Sequence, residues 1–134
     1  MLKLFDTLLD RWAGRLLVLA RILLSILFLH EGVTLLFAFE PAAAAMAKQG
    51  VPAPLLGATI GLQLIAGLMI LLGWCGRLGA VALGLFCLMT AFLFHTNFQS
   101  QNELLHFEKD LAIAGGMFAL AAIGTGRLSL DRIT

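Results

Sequence analysis

Charged residues are scarce in this chain, and neither sign of charge is in clear excess. They make up 13% of the 134 residues, and the formal net charge is +1. A nucleic-acid-binding surface needs a cluster of basic residues, so this balance excludes that class of partner. Hydrophobic residues make up 60% of the chain. That content excludes an ordinary soluble domain and indicates a membrane protein.

Cysteine is also rare, and its spacing excludes a redox dithiol. The two cysteines, Cys75 and Cys87, do not form a CxxC motif, and we interpret them as packed apolar thiols. The chain also lacks the glycine fingerprint of a dinucleotide-binding site. Any electrons that the protein handles therefore come from a bound cofactor or from a partner protein.

Metal-ligating patterns are missing as well. The three histidines, His30, His95 and His106, show neither HxxxH nor ExxH spacing within one helix. Acidic residues near them could supply further ligands, but scattered histidines near the rim of a membrane protein are more typical of an interfacial position. We therefore predict no metal site.

What the chain does contain is four long apolar stretches. A bilayer core needs about 20 apolar residues in a helix, and each stretch is about that long. The first is not a cleaved signal peptide, because it is too long and follows a segment with both acids and bases. We predict an all-α, polytopic membrane protein, a single four-helix transmembrane bundle over residues 1–134. The four predicted spans are Leu16–Phe39, Leu55–Trp74, Leu78–Phe98 and Phe107–Gly124.

Two shorter segments flank the first span. Residues 1–15 alternate apolar and charged faces at helical spacing, which predicts an amphipathic helix in the membrane interface, with Trp12 at headgroup level and Gly14 leading into the span. After the span, Pro41 can start a helix, Ala42–Lys48 favours one, and Gly50 stops it. We predict a short helix there, in the first periplasmic loop.

Glycines in the second span predict close helix packing. Gly57 and Gly61 have small-xxx-small spacing, and Gly67 and Gly73 follow. Helices in lipid associate through close backbone contact, so we expect these residues to mark a packed face.

The distribution of basic residues predicts the orientation. Cytoplasmic loops of membrane proteins carry an excess of lysine and arginine. One predicted side of the membrane has only Lys48, so we place both termini in the cytoplasm. The basic residues of that cytoplasmic side are Lys3, Arg11, Arg15, Arg77, Arg127 and Arg132.

Polar residues inside the spans are the candidate functional residues, because a charge near the centre of a membrane helix costs about 2.5–3.5 kcal/mol or more. Arg21 lies near the cytoplasmic boundary and either extends to the headgroups or binds an anionic group inside the bundle.

The other polar residues all lie in the outer half: Glu31, Gln63, His95, Lys109 and Asp110. Four helices that bring polar groups to one level indicate a ligand cavity, or else a purely structural polar cluster. We further expect Glu31 and Lys109 to neutralise each other across the bundle.

Several segments together resemble the DoxX family of small four-helix bacterial inner-membrane proteins. Two positions differ: Leu35 replaces a frequent lysine, and Gln63 replaces a frequent glutamate. The segments that carry the resemblance are Arg21–Leu29 with Gly32, Gly50–Pro52, Gly61–Gly73, Arg77–Ala80, His95, Lys109–Gly116 and Gly126–Asp131.

The resemblance implies a component of a quinone-linked membrane redox system, located in the bacterial inner membrane with a possible redox partner protein. In this interpretation Glu31 or His95 exchanges protons and Gln63 hydrogen-bonds a quinone carbonyl. Arg21, Lys109 and Asp110 complete the binding site and set its charge. The alternative is a non-enzymatic accessory or assembly factor, or a small carrier.

Overall fold

The computed structural model describes residues 1–132, so the last two residues of the predicted domain lie outside the described part. All regular secondary structure in the described residues is helical, which confirms the predicted class. The elements are α1 (Leu2–Phe37), α2 (Phe39–Ala47), α3 (Ala53–Leu72), α4 (Gly76–Phe94), α5 (Gln101–Ile123) and a 3-10 turn at Leu130–Arg132.

Three helices, α1, α3 and α4, are long and apolar enough to cross a membrane. The fifth helix has 23 residues, which is also a sufficient length. Its first half contains four charged residues, so its composition alone does not identify it as a membrane span. These residues are Glu103, Glu108, Lys109 and Asp110. The fourth span therefore stays a prediction.

The first helix is one continuous element of 36 residues. At about 1.5 Å per residue it is roughly 54 Å long, and a bilayer core is about 30 Å thick. The helix predicted for residues 1–15 is present, and it continues through Gly14 into the first span without a break, so it forms the first part of α1. One glycine costs a helix only about 1 kcal/mol, which does not break a helix that good formers continue on both sides.

The second helix contains the predicted loop helix but begins earlier, at Phe39 rather than at the alanine run. Gly50 follows it with a φ of 78°, a conformation that glycine adopts without strain. Pro52 is extended and precedes the first turn of α3. These two residues end one helix and start the next, as the sequence predicts.

The bundle consists of two closely packed helix pairs, α1 with α3 and α4 with α5, and the two pairs meet where α3 packs against α4. A buried core fills the space between them. Its members come from four helices: Phe28, Ala66, Ile70, Ala80, Leu83, Cys87, Ala114, Met117 and Leu120.

Some glycines allow the helices to pack closely, but two of the glycines that we expected on a packed face have no neighbouring helix against them. A Cβ at Gly67 would lie 3.0 Å from the Leu29 side chain of α1, and one at Gly79 would lie 3.0 Å from the Ala66 carbonyl of α3. Gly57 and Gly61 face open space, so their assignment to a packed face is wrong. Small-residue spacing shows which residues share a helix face but not what lies against that face.

Candidate functional site

Five of the six predicted site residues line a single cavity. Its volume is about 450 Å³, within the range of ordinary ligand pockets. It lies far from the α3–α4 turn, near the end of the bundle that carries α2, and we call that end the cavity end. The five residues are Glu31, Gln63, His95, Lys109 and Asp110.

The walls of the cavity are largely apolar, and all five helices contribute to its lining. The cavity has both polar side chains and apolar walls, so it suits an amphiphilic ligand with a polar ring or head. The apolar lining residues are Leu27, Phe28, Leu35, Met46, Leu56, Phe86, Phe94 and Ile113.

Gln63 is the most deeply buried polar residue of the cavity. Only 1% of it is exposed, and its Oε1 atom has no hydrogen-bond partner in the described residues. A buried polar atom without a partner costs about 1–3 kcal/mol. This cost is recovered if a ligand in the cavity donates a hydrogen bond to the amide oxygen.

His95 is held by a carboxylate at the mouth of the cavity. Its Nδ1 lies 2.8 Å from Glu103 Oε2, and both side chains are partly exposed. A carboxylate that accepts from one ring nitrogen fixes the imidazole and leaves the other nitrogen for a ligand or water. Glu103 was not among the predicted site residues. Its position eight residues after His95, at the start of α5, is the only sequence signal for it.

A second histidine extends this polar group. The His106 ring stacks on His95 with a centroid distance of 5.1 Å. Lys109 Nζ lies 3.2 Å from His106 Nδ1, so the ammonium donates to the imidazole. The prediction named Lys109 but not His106 as a site residue.

Asp110 faces the cavity from the next position on α5. The Thr90 hydroxyl oxygen of α4 lies 3.2 Å from Asp110 Oδ2 and 3.0 Å from the Cys87 carbonyl oxygen, and its one proton is shared between these two acceptors. This threonine fixes the carboxylate and was not predicted. An isolated threonine in an apolar helix gives no sequence signal that separates it from a helix-capping or packing residue.

Glu31 and Lys109 line the same cavity but do not pair. No ion pair within 4 Å joins them in residues 1–132. The expectation that they neutralise each other by direct pairing is therefore not met, because shared depth and a facing helix do not by themselves bring two side chains into contact. Three carboxylates, of Glu31, Glu103 and Asp110, and the Lys109 ammonium line the cavity. Metal ligation is a separate question, and residues 1–132 hold no group of three side chains placed to ligate a metal.

Arg21, the sixth predicted site residue, lies apart from the cavity. It is 4% exposed and sits beside the α3–α4 turn and the segment after α5, which we call the tail end. Its Nε and Nη2 donate to the Ile70 and Leu71 carbonyls at 2.9 and 2.6 Å. Its Nη1 donates to the Thr125 and Leu128 carbonyls at 3.1 and 2.7 Å.

These contacts indicate a structural role for Arg21, because they connect the end of α3 to the segment after α5. The last carbonyls of a helix lack intrahelical partners, and the guanidinium supplies donors to the end of α3 and to the tail together. The side chain is buried, and its donors are occupied by carbonyls of the protein itself.

Asp131 also lies at the tail end, where it contacts the start of α4 and the segment after α5. Its carboxylate accepts from the Cys75 amide at 2.6 Å, the Gly76 amide at 3.3 Å and the Thr125 hydroxyl at 3.1 Å. Desolvation opposes ionisation, but these hydrogen bonds and the charge of Arg21 outweigh it and lower the pKa of Asp131 below its ordinary value. The carboxylate thus caps the first turn of α4.

Known proteins with similar sequences fit this architecture. The chain is 40% identical over 116 residues to the inner membrane protein YqjF of Escherichia coli (strain K12), which covers 87% of this chain and 89% of that protein. It is 32% identical over 124 residues to the inner membrane protein YphA of the same organism, with the same coverage. No solved structure gives a significant match. The model of the DoxX family matches residues 16–96, which hold α2, α3, α4 and most of α1. Since this match spans more than half of the chain, the chain belongs to the DoxX family.

Proposed function

We propose that the chain is an inner-membrane component of a quinone-linked redox system and that the cavity binds the quinone ring. In this proposal α5 is the fourth span, both termini are cytoplasmic, and the cavity opens toward the periplasm. The names of the two relatives support the inner membrane as location. The length of α5 and its packing on α4 support a fourth crossing.

The orientation is supported by where the basic residues lie. Arg11, Arg15, Arg127 and Arg132 surround one groove at the tail end, and Arg77 lies beside Gly124 at that same end. The positive-inside rule assigns such an end to the cytoplasm. A reporter fused at the C-terminus should therefore report cytoplasm, and one inserted after Gln49 should report periplasm. The opposite pattern would reverse the proposed topology.

The observation that carries the ligand proposal is the buried amide oxygen of Gln63, which has no hydrogen-bond partner in residues 1–132, at the wall of an amphiphilic cavity. A quinone has carbonyl acceptors, and its reduced form has hydroxyl donors. A primary amide matches both, because its nitrogen donates and its oxygen accepts. The apolar wall residues suit the isoprenoid tail of such a molecule.

Proton exchange would be the task of His95, with Glu31 as the second candidate group. His95 lies at the mouth of the cavity, and imidazole gains and loses protons near neutral pH. Glu103 orients the ring at 2.8 Å. Reduction of a quinone takes up electrons and protons in equal number. The electrons would come from a redox partner protein, and the protons would pass through the His95 imidazole.

Calorimetric titration of the purified protein in detergent with a short-chain quinone and its quinol tests this function. We expect His95→Ala to weaken binding by tenfold or more, which is about 1.4 kcal/mol. His30→Ala is the matched control, because His30 is exposed on α1 and does not line the cavity. If the wild-type protein binds neither form, the redox proposal fails.

The charge of the cavity favours a second candidate, a small carrier for cationic amphiphiles. Three carboxylates and one lysine line the walls, so a positively charged head would be attracted and an anion repelled. The same titration with a quaternary ammonium amphiphile separates the two functions. Tight binding of the cation without binding of the quinone would favour the carrier.

A further inference from the structure

A second large groove lies at the tail end, away from the proposed quinone cavity. Its volume is about 800 Å³, and it runs between residues 10–17 of α1 and residues 126–132 of the tail. Four arginines line it: Arg11 and Arg15 on the helix, Arg127 and Arg132 on the tail. Asp10 is the only carboxylate among the lining residues.

Within the described part of the chain, these arginines have no carboxylate partner. In residues 1–132 none of the four forms an ion pair within 4 Å. They differ in this from Arg21, whose donors are taken by carbonyls. The Arg15 guanidinium lies 4.5 Å from the centre of the Trp12 ring, which holds it beside the groove by a cation–π contact. The groove therefore combines a surplus of positive charge with unused hydrogen-bond donors.

The same groove has an apolar part. Leu17 and Leu128 line it together with Trp12, and the long apolar stretch of α1 begins at Leu16. Tryptophan concentrates at the level of lipid headgroups. The arginines thus lie where α1 enters the hydrocarbon layer, with leucines on the membrane side.

We propose that this groove binds the phosphate headgroup of an anionic phospholipid. The guanidinium groups bind the phosphate oxygens, since their planar donors match phosphate geometry, and the acyl chains lie against Leu17 and Leu128. The site is independent of the function proposed for the cavity. It would attach the tail to the first helix through a lipid molecule.

Native mass spectrometry of the purified protein, titrated with phosphatidylglycerol and with phosphatidylcholine of the same chains, tests the proposal. We expect one retained phosphatidylglycerol and no comparable retention of the zwitterionic lipid. Each basic residue near an anionic lipid surface contributes about fivefold in affinity. The double variant Arg11→Gln/Arg127→Gln, with one change in each wall, should therefore weaken retention by more than about tenfold.

The control is Lys3→Gln/Arg77→Gln, which removes the same charge outside the groove. It should retain the lipid, and both variants should keep the helical circular dichroism of the parent. Equal loss in the two double variants would mean diffuse attraction to charge and would overturn the proposal. Inorganic phosphate is the third probe. If it displaces the lipid at millimolar concentration and binds alone, the groove is a site for free phosphate rather than for a lipid.

Discussion

The Asp131 carboxylate accepts a hydrogen bond from the backbone amide of Cys75 at 2.6 Å, although 56 positions separate them in the sequence. The contact joins the last described turn of the chain to the first turn of α4. The Asp131 amide in turn donates to the Gly73 carbonyl at 2.8 Å. One residue therefore satisfies groups on both sides of the tight α3–α4 turn.

Replacement of Asp131 by alanine should lower the free energy of unfolding by about 1–2 kcal/mol, the usual cost of losing a helix cap. The measurement is thermal or denaturant unfolding in detergent. Asp6→Ala is the control, since Asp6 lies on the exposed first part of α1 and makes none of these contacts. Equal stability of the Asp131 variant and the parent would contradict the capping role.

The pH dependence of stability should follow the same carboxylate. The pKa of Asp131 is lower in the folded protein than its ordinary value, which is about 3.9 in model peptides. Its contribution is therefore complete above that value and is lost as the pH falls through the folded-state pKa. The stability difference between wild type and Asp131→Asn should shrink on acidification below about pH 4. A difference that stays constant as the pH is lowered well below about 4 would contradict this prediction.

Arg21→Met should be among the most destabilising substitutions in the chain. It removes the guanidinium donors from four buried or partly buried carbonyls, of which that of Ile70 also accepts from the Gly73 amide at 3.2 Å. Each charge-assisted hydrogen bond contributes about 1.5–3 kcal/mol. We expect a loss of at least ~3 kcal/mol in detergent unfolding. Arg21→Lys should recover only part of it, because an ammonium lacks the planar fork that reaches two elements. Lys3→Met, at an exposed position of α1 outside the tail-end groove, should be nearly neutral.

Glycine substitutions should separate real helix contacts from apparent ones. Gly79→Ala places a methyl 3.0 Å from the Ala66 carbonyl, and backbone cannot move aside as a side chain can. We expect a destabilisation of about 1–3 kcal/mol from the forced separation of α3 and α4. Gly61→Ala meets nothing within 4 Å and should be neutral or slightly stabilising. Equal melting temperatures for the two variants would contradict the packing.

Gln63→Leu distinguishes a binding residue from a structural one. The amide oxygen has no partner in the described residues, so its removal relieves an unsatisfied group, and we expect the ligand-free protein to gain about 1 kcal/mol. Binding of quinone or quinol should weaken at the same time. If the variant is instead strongly destabilised, Gln63 belongs to a structural polar cluster and not to a ligand site.

The convergence of Glu31, Gln63, His95, Lys109 and Asp110 could be predicted because a helix rises by a fixed distance per residue. Once the spans are placed, the depth of every polar residue follows. The partners of Arg21 could not be predicted, since they are backbone carbonyls, which every residue has. Glu103 and Thr90 were missed for a related reason: each supports a site residue from a neighbouring helix, and a pattern along one helix does not contain that contact.

Arg21 and Asp131 connect separate elements at the tail end: Arg21 binds carbonyls at the end of α3 and in the segment after α5, and Asp131 binds the α3–α4 turn. Neither residue lines the cavity, which lies near the other end of the bundle. A substitution at either residue therefore changes folding stability without removing a side chain from the cavity, so a loss of ligand binding in such a variant would report damage to the fold and not to the binding site.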